Sequence, residues 1–143
     1  MSNAVKKPDA LQVYAVPPEY LIIAWPDTER ILQRVVKPDT GYALNDVLNE
    51  LQLGTMQLWV IGDFKGVVVT TVNVKPLHKV LWVQFLAGDH MDDWLDEWIQ
   101  TQEAYAKHND CVAIEFNGRK GWSKMQKHHS DYKPVTTIYR RAL

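Results

Sequence analysis

KVLWVQFLAG (79–88), DHMDDWLDEWIQTQEAYAKH (89–108), CVAIEFNG (111–118) and RKGWSKMQKHH (119–129) read in succession as strand, helix, strand and helix. The first and third segments are apolar runs rich in β-branched and aromatic residues. The second is strongly amphipathic. Met91, Trp94, Leu95, Trp98, Ile99, Gln102, Tyr105 and Ala106 fall on one helical face, and Asp92, Asp93, Asp96, Glu97, Gln100 and Glu103 on the other. The Trp94/Trp98 pair, four residues apart, reads as core. A strand, a crossover helix and a second strand require a parallel pair. Two junctions frame the unit: Ala87-Gly88-Asp89-His90, and Asn117-Gly118-Arg119-Lys120.

Upstream, the periodicity predicts an antiparallel meander. Met56 to Ile61, Val67 to Val74 and Lys79 to Ala87 alternate as three strands, with Asp63-Phe64-Lys65-Gly66 as the first hairpin loop and Pro76 ending the second strand. Before them, Leu11 to Val16 reads as a short strand closed by Pro17-Pro18. Pro18 suits the first turn of a helix over Glu19 to Trp25, which Pro26 breaks or kinks. A second helix, capped by Asp27 or Thr28, carries an Ile31, Leu32, Val35, Val36 stripe. Leu44 to Leu53 reads as a third, capped by Asn45 and stopped by Gly54. Thr136 to Arg141 (TTIYRR) reads as a last strand. Residues 1–10 read as a loose tail, and 11–143 as a single domain.

At 143 residues the chain is long enough to bury about two-thirds of the surface it exposes when unfolded. A net charge of −1 gives no overall field for nucleic acid or an anionic membrane. The charge is nonetheless uneven. Asp89 to Glu103 holds six acidic residues and no Lys or Arg, whereas Arg119 to Arg141 holds seven Lys or Arg against Asp131 alone. That pattern fits either two solvated faces or a bipolar surface suited to self-association or docking of a protein partner. Cys111 is the sole cysteine, so no intrachain disulfide forms, and its apolar strand context reads as a buried, inert thiol. No apolar run approaches a membrane span, and the first ten residues lack the apolar region of a secretory signal. His128-His129 lacks Cys or acidic partners at metal-ligand spacing, so no metal site is expected. Trp122 and Tyr132 lie within a basic segment, but no nucleic-acid module surrounds them.

The order of one strand, helices, three antiparallel strands, helix, strand, helix and strand resembles the fold of the GCN5-related N-acetyltransferases. It is an α/β (α+β) architecture with a mixed, mostly antiparallel sheet flanked by helices and split between its fourth and fifth strands. More narrowly, Met56 to Val60, Leu86 to Gly88, Asp92 to Ile99 and Gly121-Trp122 resemble segments of small proteins of this kind from tailed bacteriophages and prophages. The resemblance implies acetyl-coenzyme A as cofactor. It places the pyrophosphate on a Q/R-x-x-G-x-G/A loop after the fourth strand, where backbone N–H groups and a helix N-terminus meet the phosphates. The matching stretch is Phe85 to Met91. The residues that would hold the coenzyme are therefore Leu86, Ala87, Gly88, Asp89 and His90, with Asn117 across the split.

The match is incomplete. Gly88 takes the central glycine position, but Phe85 replaces Gln or Arg and His90 replaces a small residue. Asp89 reads as the cap of the following helix, with Asp92 and Asp93 complementing its dipole, so a phosphate there would meet like charge. The family's tyrosine acid, seven or eight residues beyond the asparagine, is replaced by Lys124 and Met125. Tyr132 falls where the family has a packing aromatic. No general base is legible. Two functions follow as expectations. The first is a phage-encoded protein of this fold whose transfer chemistry has degenerated, acting as a virion-associated or assembly protein in the host cytoplasm or the particle. The second is an acetyl-CoA-dependent N-acetyltransferase acting on an unknown amine.

Overall fold

The computed structural model describes residues 12–118 and 131–143. Five strands form one sheet in the order β1 (Val13–Val16), β2 (Gln57–Ile61), β3 (Gly66–Val74), β4 (Lys79–Gly88) and β5 (Cys111–Phe116). The first four pair antiparallel, and β5 joins β4 in parallel. Helices α1 (Leu21–Leu32) and α2 (Leu44–Leu53) cover one face, and α3 (Leu95–His108) covers the other. The mixed sheet, its two helical layers and the β4–α3–β5 crossover are those read from the sequence. None of the described helices is long and apolar enough to cross a membrane.

Strand alternation sorts the core into two layers. Leu58, Val60, Val67 and Val69 point to the α1/α2 layer with Leu21, Ile31, Leu32, Val47 and Leu51. Trp59, Ile61 and Val68 point to the α3 layer with Trp94, Leu95, Trp98 and Ile99. The buried face of α3 is the face its periodicity predicts. The acidic Asp92, Asp93, Asp96 and Glu103 stay exposed. Within this layer, Trp59 makes edge-on contacts with Trp98 and Tyr105 at 5.6 and 4.8 Å. Its indole N–H donates to the buried Thr70 hydroxyl at 2.9 Å, and that hydroxyl donates to Gln57 at 3.0 Å. The indole is thus packed and hydrogen-bonded at once.

Several local expectations are corrected. Pro26 neither ends nor splits the first helical stretch, because α1 runs continuously from Leu21 to Leu32. The carbonyl that Pro26 leaves without an N–H donor is that of Ile22. Ile22 is 84% exposed, so that carbonyl lies on the watered side of the helix. Thr28 is not a cap. It is fully buried mid-helix and donates its hydroxyl to the Ala24 carbonyl at 2.8 Å. Nor is Asn45 the cap of α2. Ala43 precedes that helix, and its N–H donates to the Asp46 carboxylate at 2.8 Å.

Cys111 is half-buried rather than buried. Burial nonetheless raises its thiol above the ordinary value, keeping it protonated and poorly nucleophilic. Finally, Thr136 to Arg141 forms no strand. Residues 132–143 run without regular structure, with Val135, Ile138 and Tyr139 exposed. Residue propensity alone does not make a strand when no ladder partner lies beside it. The helix expected over 119–129, and with it Trp122, Lys124, Met125, His128 and His129, lies outside the described residues.

Candidate functional site

The site begins with a register slip. Val69 faces Phe85 and Thr70 faces Val83, so Gln84 is an extra residue on β4. This β-bulge changes which face each side chain takes. Val83 packs in the α3 layer, yet Phe85, two residues on, packs in the α1/α2 layer. A bulge also bends its strand. The parallel β4–β5 ladder runs from Lys79↔Cys111 to Val83↔Phe116 and stops there. Beyond it, Gln84 to Gly88 continue along β3 without β5 beside them. The sheet therefore opens between β4 and β5, as the sequence reading placed it. Asn117 directly follows the last ladder pair and is exposed, at the throat of the opening.

Leu86 and Ala87 are 8% and 5% exposed, on opposite layers of the core. Their side chains are committed to packing, so they can offer a ligand only backbone. Gly88 faces Gly66 across the β3–β4 ladder. The pair leaves a flat floor on which the Trp94 indole lies. A Cβ on Gly66 would stand 2.6 Å from that ring. One on Gly88 would stand 2.4 Å from the Lys65 carbonyl oxygen, 2.5 Å from the Gly66 Cα and 3.1 Å from the ring. Close approach accounts for glycine at both positions without any phosphate.

The junction after Gly88 differs from the expected helix start. His90 adopts a left-handed conformation with φ 52°, which a continuing right-handed helix cannot include. Met91–Asp93 makes one tight 3₁₀ turn, and α3 begins only at Leu95, with Trp94 as its preceding residue. Asp89 therefore does not cap α3. Asp96 and Glu97, rather than Asp92 and Asp93, occupy its first turn. Trp94 fixes this path. It is fully buried, and its indole N–H donates to the Asp89 carbonyl at 2.8 Å. The amides of Asp89, Asp93 and Trp94 donate to the carbonyls of Lys65, His90 and Met91 at 2.9, 2.9 and 3.0 Å. One amide of the expected phosphate loop, that of Asp89, and two in the turn that follows it are thus taken by the chain itself.

Sequence reasoning did not find Arg34. Just past the end of α1, its guanidinium donates to both carboxylate oxygens of Asp89, at 2.9 and 3.5 Å. This pair holds the exposed Asp89 carboxyl below the usual carboxylate range, with His90 and Arg30 adding smaller contributions of the same sign. The two residues are 55 positions apart, and no local pattern links them. Their contact gives the mouth of the split a cation that the acidic run from Asp89 to Glu103 does not contain.

At the other side, Tyr132 leans on Phe116 with ring centroids 5.6 Å apart, and Gln102 donates its amide N–H to the Tyr132 hydroxyl at 2.6 Å. Burial raises the Tyr132 phenol above its ordinary value, with the Glu103 charge adding to the effect. It keeps the packing place the sequence suggested. A separate open groove of about 450 Å³, lined by Val16, Tyr20, Ile23 and Phe64, lies between β1 and α1 on the opposite side of the sheet from β5. It shares no residue with the split. Among the described residues, no group of three or more His, Cys, Asp or Glu side chains is arranged to hold a metal ion.

No protein-family model and no curated relative matches the sequence. Solved structures do match its fold. An aminoglycoside acetyltransferase from an uncultured soil metagenomic sample, in complex with sisomicin, aligns over 96% of this chain and 100% of its own with a TM-score of 0.71 and 10% identity. A GCN5-related N-acetyltransferase from Ralstonia eutropha aligns over 92% and 97%, with a TM-score of 0.64 and 13% identity. A ribosomal-protein-alanine N-acetyltransferase from Brucella melitensis aligns over 92% and 96%, with a TM-score of 0.63 and 11% identity. The split five-stranded sheet, with α1 and α2 on one face and α3 on the other, is thus the fold shared by these acetyltransferases.

Proposed function

We propose that the protein is an acetyl-CoA-dependent N-acetyltransferase, with the coenzyme held in the split between β4 and β5. The observation that carries this reading is the ladder that stops at Val83↔Phe116 and leaves Gln84 to Gly88 without a neighbouring strand on that side among the described residues. An exposed strand edge pairs with any extended chain of amides. The pantetheine arm of coenzyme A is such a chain, so it can lie along β4 as a substitute strand. In that pose Asn117 would lie by the thioester at the throat, and Asp89 and His90 by the phosphates at the mouth. Arg34 supplies the positive charge there, which the occupied amides of Asp89, Asp93 and Trp94 supply less well. The fold shared with three acetyltransferases supports the same reading.

With acetyl-CoA bound, the neutral acceptor amine would attack the thioester carbonyl, the C–N bond would form as the C–S bond breaks, and the proton shed by the nitrogen would be balanced by the one the leaving thiolate gains. The exposed Asp92 and Asp93 beside the mouth suit a cationic amine.

A second reading keeps the fold but not the transfer: a protein that acts through partners, as the phage-like segments imply. It is favoured by the way Trp94 and the Arg34–Asp89 pair fill the phosphate position. Neither the fold nor its neighbours carries a link to a phage or a virion. Calorimetric titration with acetyl-CoA at low salt separates the two readings. Transfer requires binding, expected in the micromolar range and weakened by Arg34→Ala. Absence of binding at millimolar ligand would overturn the transferase reading and leave the second.

A further inference from the structure

Asn117 and Gly118 form the only Asn-Gly pair in the sequence. They directly follow Val83↔Phe116, the last pair of the β4–β5 ladder, and belong to neither helix nor strand. Both are exposed. Neither the Asn117 carboxamide nor the Gly118 N–H makes a hydrogen bond to another described residue. A Cβ built on Gly118 meets nothing within 4 Å, so the backbone has room to turn there.

The other described asparagines are held away from that freedom. Asn45 and Asn49 lie inside α2, where the backbone amides that follow them belong to the helix; that of Asp46 donates to the Ala43 carbonyl at 3.0 Å. Asn73 stands in the β3–β4 ladder opposite Val80, with the β-branched Val74 after it. Asn109 donates its side-chain amide to the Tyr105 carbonyl at 2.8 Å, and the following Asp110 N–H donates to the Lys107 carbonyl at 3.1 Å. Each would have to leave its helix, ladder or hydrogen bond before its side chain could meet the next backbone nitrogen.

We propose that Asn117 is a site of spontaneous deamidation through a cyclic imide closed by Gly118. The Gly118 nitrogen attacks Cγ of Asn117. The N–Cγ bond forms, the Cγ–Nδ2 bond breaks, and Nδ2 leaves as ammonia with the proton that the Gly118 nitrogen sheds. Water then opens the imide at either carbonyl. Opening at Cγ gives aspartate, and opening at the Asn117 backbone carbonyl gives isoaspartate, whose main chain is one carbon longer. Water enters and ammonia leaves, with no other reactant. Both products put a carboxylate at the throat of the split and add one negative charge to the chain's −1. The step needs neither coenzyme nor partner, so it stands whether or not acetyl-CoA binds.

Incubating the full chain in warm, mildly alkaline buffer tests this. Peptide mapping by mass spectrometry locates the amide-to-acid change, and anion exchange reads the added charge. Conversion at Asn117 is expected to run at least about tenfold faster than at any other described asparagine. Gly118→Ala is the sharpest variant, because the open space around Gly118 admits the methyl without disturbing the fold. It is expected to slow conversion about tenfold, since a Cβ hinders approach of the nitrogen, with the circular dichroism unchanged. Asn117→Gln, whose longer side chain would have to close a larger ring, is expected to keep its charge throughout. An Asn117 that keeps its amide in the folded chain overturns the proposal. So does conversion spread evenly over the asparagines, or conversion at Asn117 that Gly118→Ala does not slow.

Discussion

Replacing Gly88 by alanine separates two reasons for a glycine at the end of β4. If Gly88 serves the packing of the junction, the added methyl has nowhere to go. It stands 2.4 Å from the Lys65 carbonyl oxygen and 2.5 Å from the Gly66 Cα, about 1 Å inside ordinary contact for each. Both are backbone atoms, so relief means prising β3 from β4 at Gly66↔Gly88 and stretching the 2.9 Å bond from the Asp89 amide to the Lys65 carbonyl. Overpacking costs about 1–3 kcal/mol, and a weakened backbone bond costs about 1 kcal/mol more. Gly88→Ala is therefore expected to lose about 2–4 kcal/mol of a total of order 5–15, with an unchanged denaturant slope. Urea unfolding followed by tryptophan fluorescence reads this.

Gly66→Ala is the control. The atoms nearest its methyl all belong to the Trp94 ring, the first at 2.6 Å. Adding Trp94→Leu is expected to relieve about 1 kcal/mol or more of the Gly66→Ala cost, while Gly88→Ala with Trp94→Leu stays additive within about 0.5 kcal/mol. Gly88→Ala losing less than about 0.5 kcal/mol while abolishing acetyl-CoA binding would refute the packing argument and make Gly88 a phosphate-loop glycine.

Three further outcomes follow from particular contacts. Asp89→Asn removes the charge that neutralises Arg34, so acetyl-CoA is expected to bind about threefold tighter at low salt, with the gain fading at high salt; calorimetry reads both. Tyr132, Tyr105 and Cys111 all hold their protons more tightly when folded, chiefly through burial. The folded state therefore keeps protons that the unfolded chain releases above the ordinary values of 9.0 for the thiol and 10.0 for the phenols. Stability is expected to be complete below those values and to fall as pH rises past them, with a shallower fall in Tyr132→Phe, read as melting temperature against pH. Pro26→Ala restores an N–H donor to the Ile22 carbonyl inside α1 and is expected to stabilise the fold by about 1–2 kcal/mol in urea unfolding.

The sequence was most legible where one physical signal dominated. The face of α3 follows from the spacing of Trp94, Leu95, Trp98, Ile99, Gln102 and Ala106, because burial against a sheet demands that spacing. The parallel pairing of β4 and β5 follows from element order, since a crossover helix forces it, whereas the split between them was implied by the family resemblance. The junction itself was less legible. Asp89 has the residue type of a cap, and nothing within a few positions of it reveals Arg34 or the Gly66–Gly88 floor that draws Trp94 down and delays the helix by six residues. Glycines that allow close approach and glycines that allow phosphate approach look alike in sequence. The bulge at Gln84 leaves no clear mark either, because KVLWVQFLAG is apolar apart from Lys79 and Gln84 and its alternation cannot show a slip. Thr136 to Arg141 has the composition of a strand, but pairing depends on a neighbour that composition does not name.

Backbone amide chemical shifts of labelled protein, followed during titration with acetyl-CoA, test the central claim in one experiment. The account predicts saturable shifts concentrated at Gln84 to His90 and at Asn117, the two sides of the split, reached at micromolar ligand. Shifts confined to other parts of the sheet, or none at millimolar ligand, would contradict it.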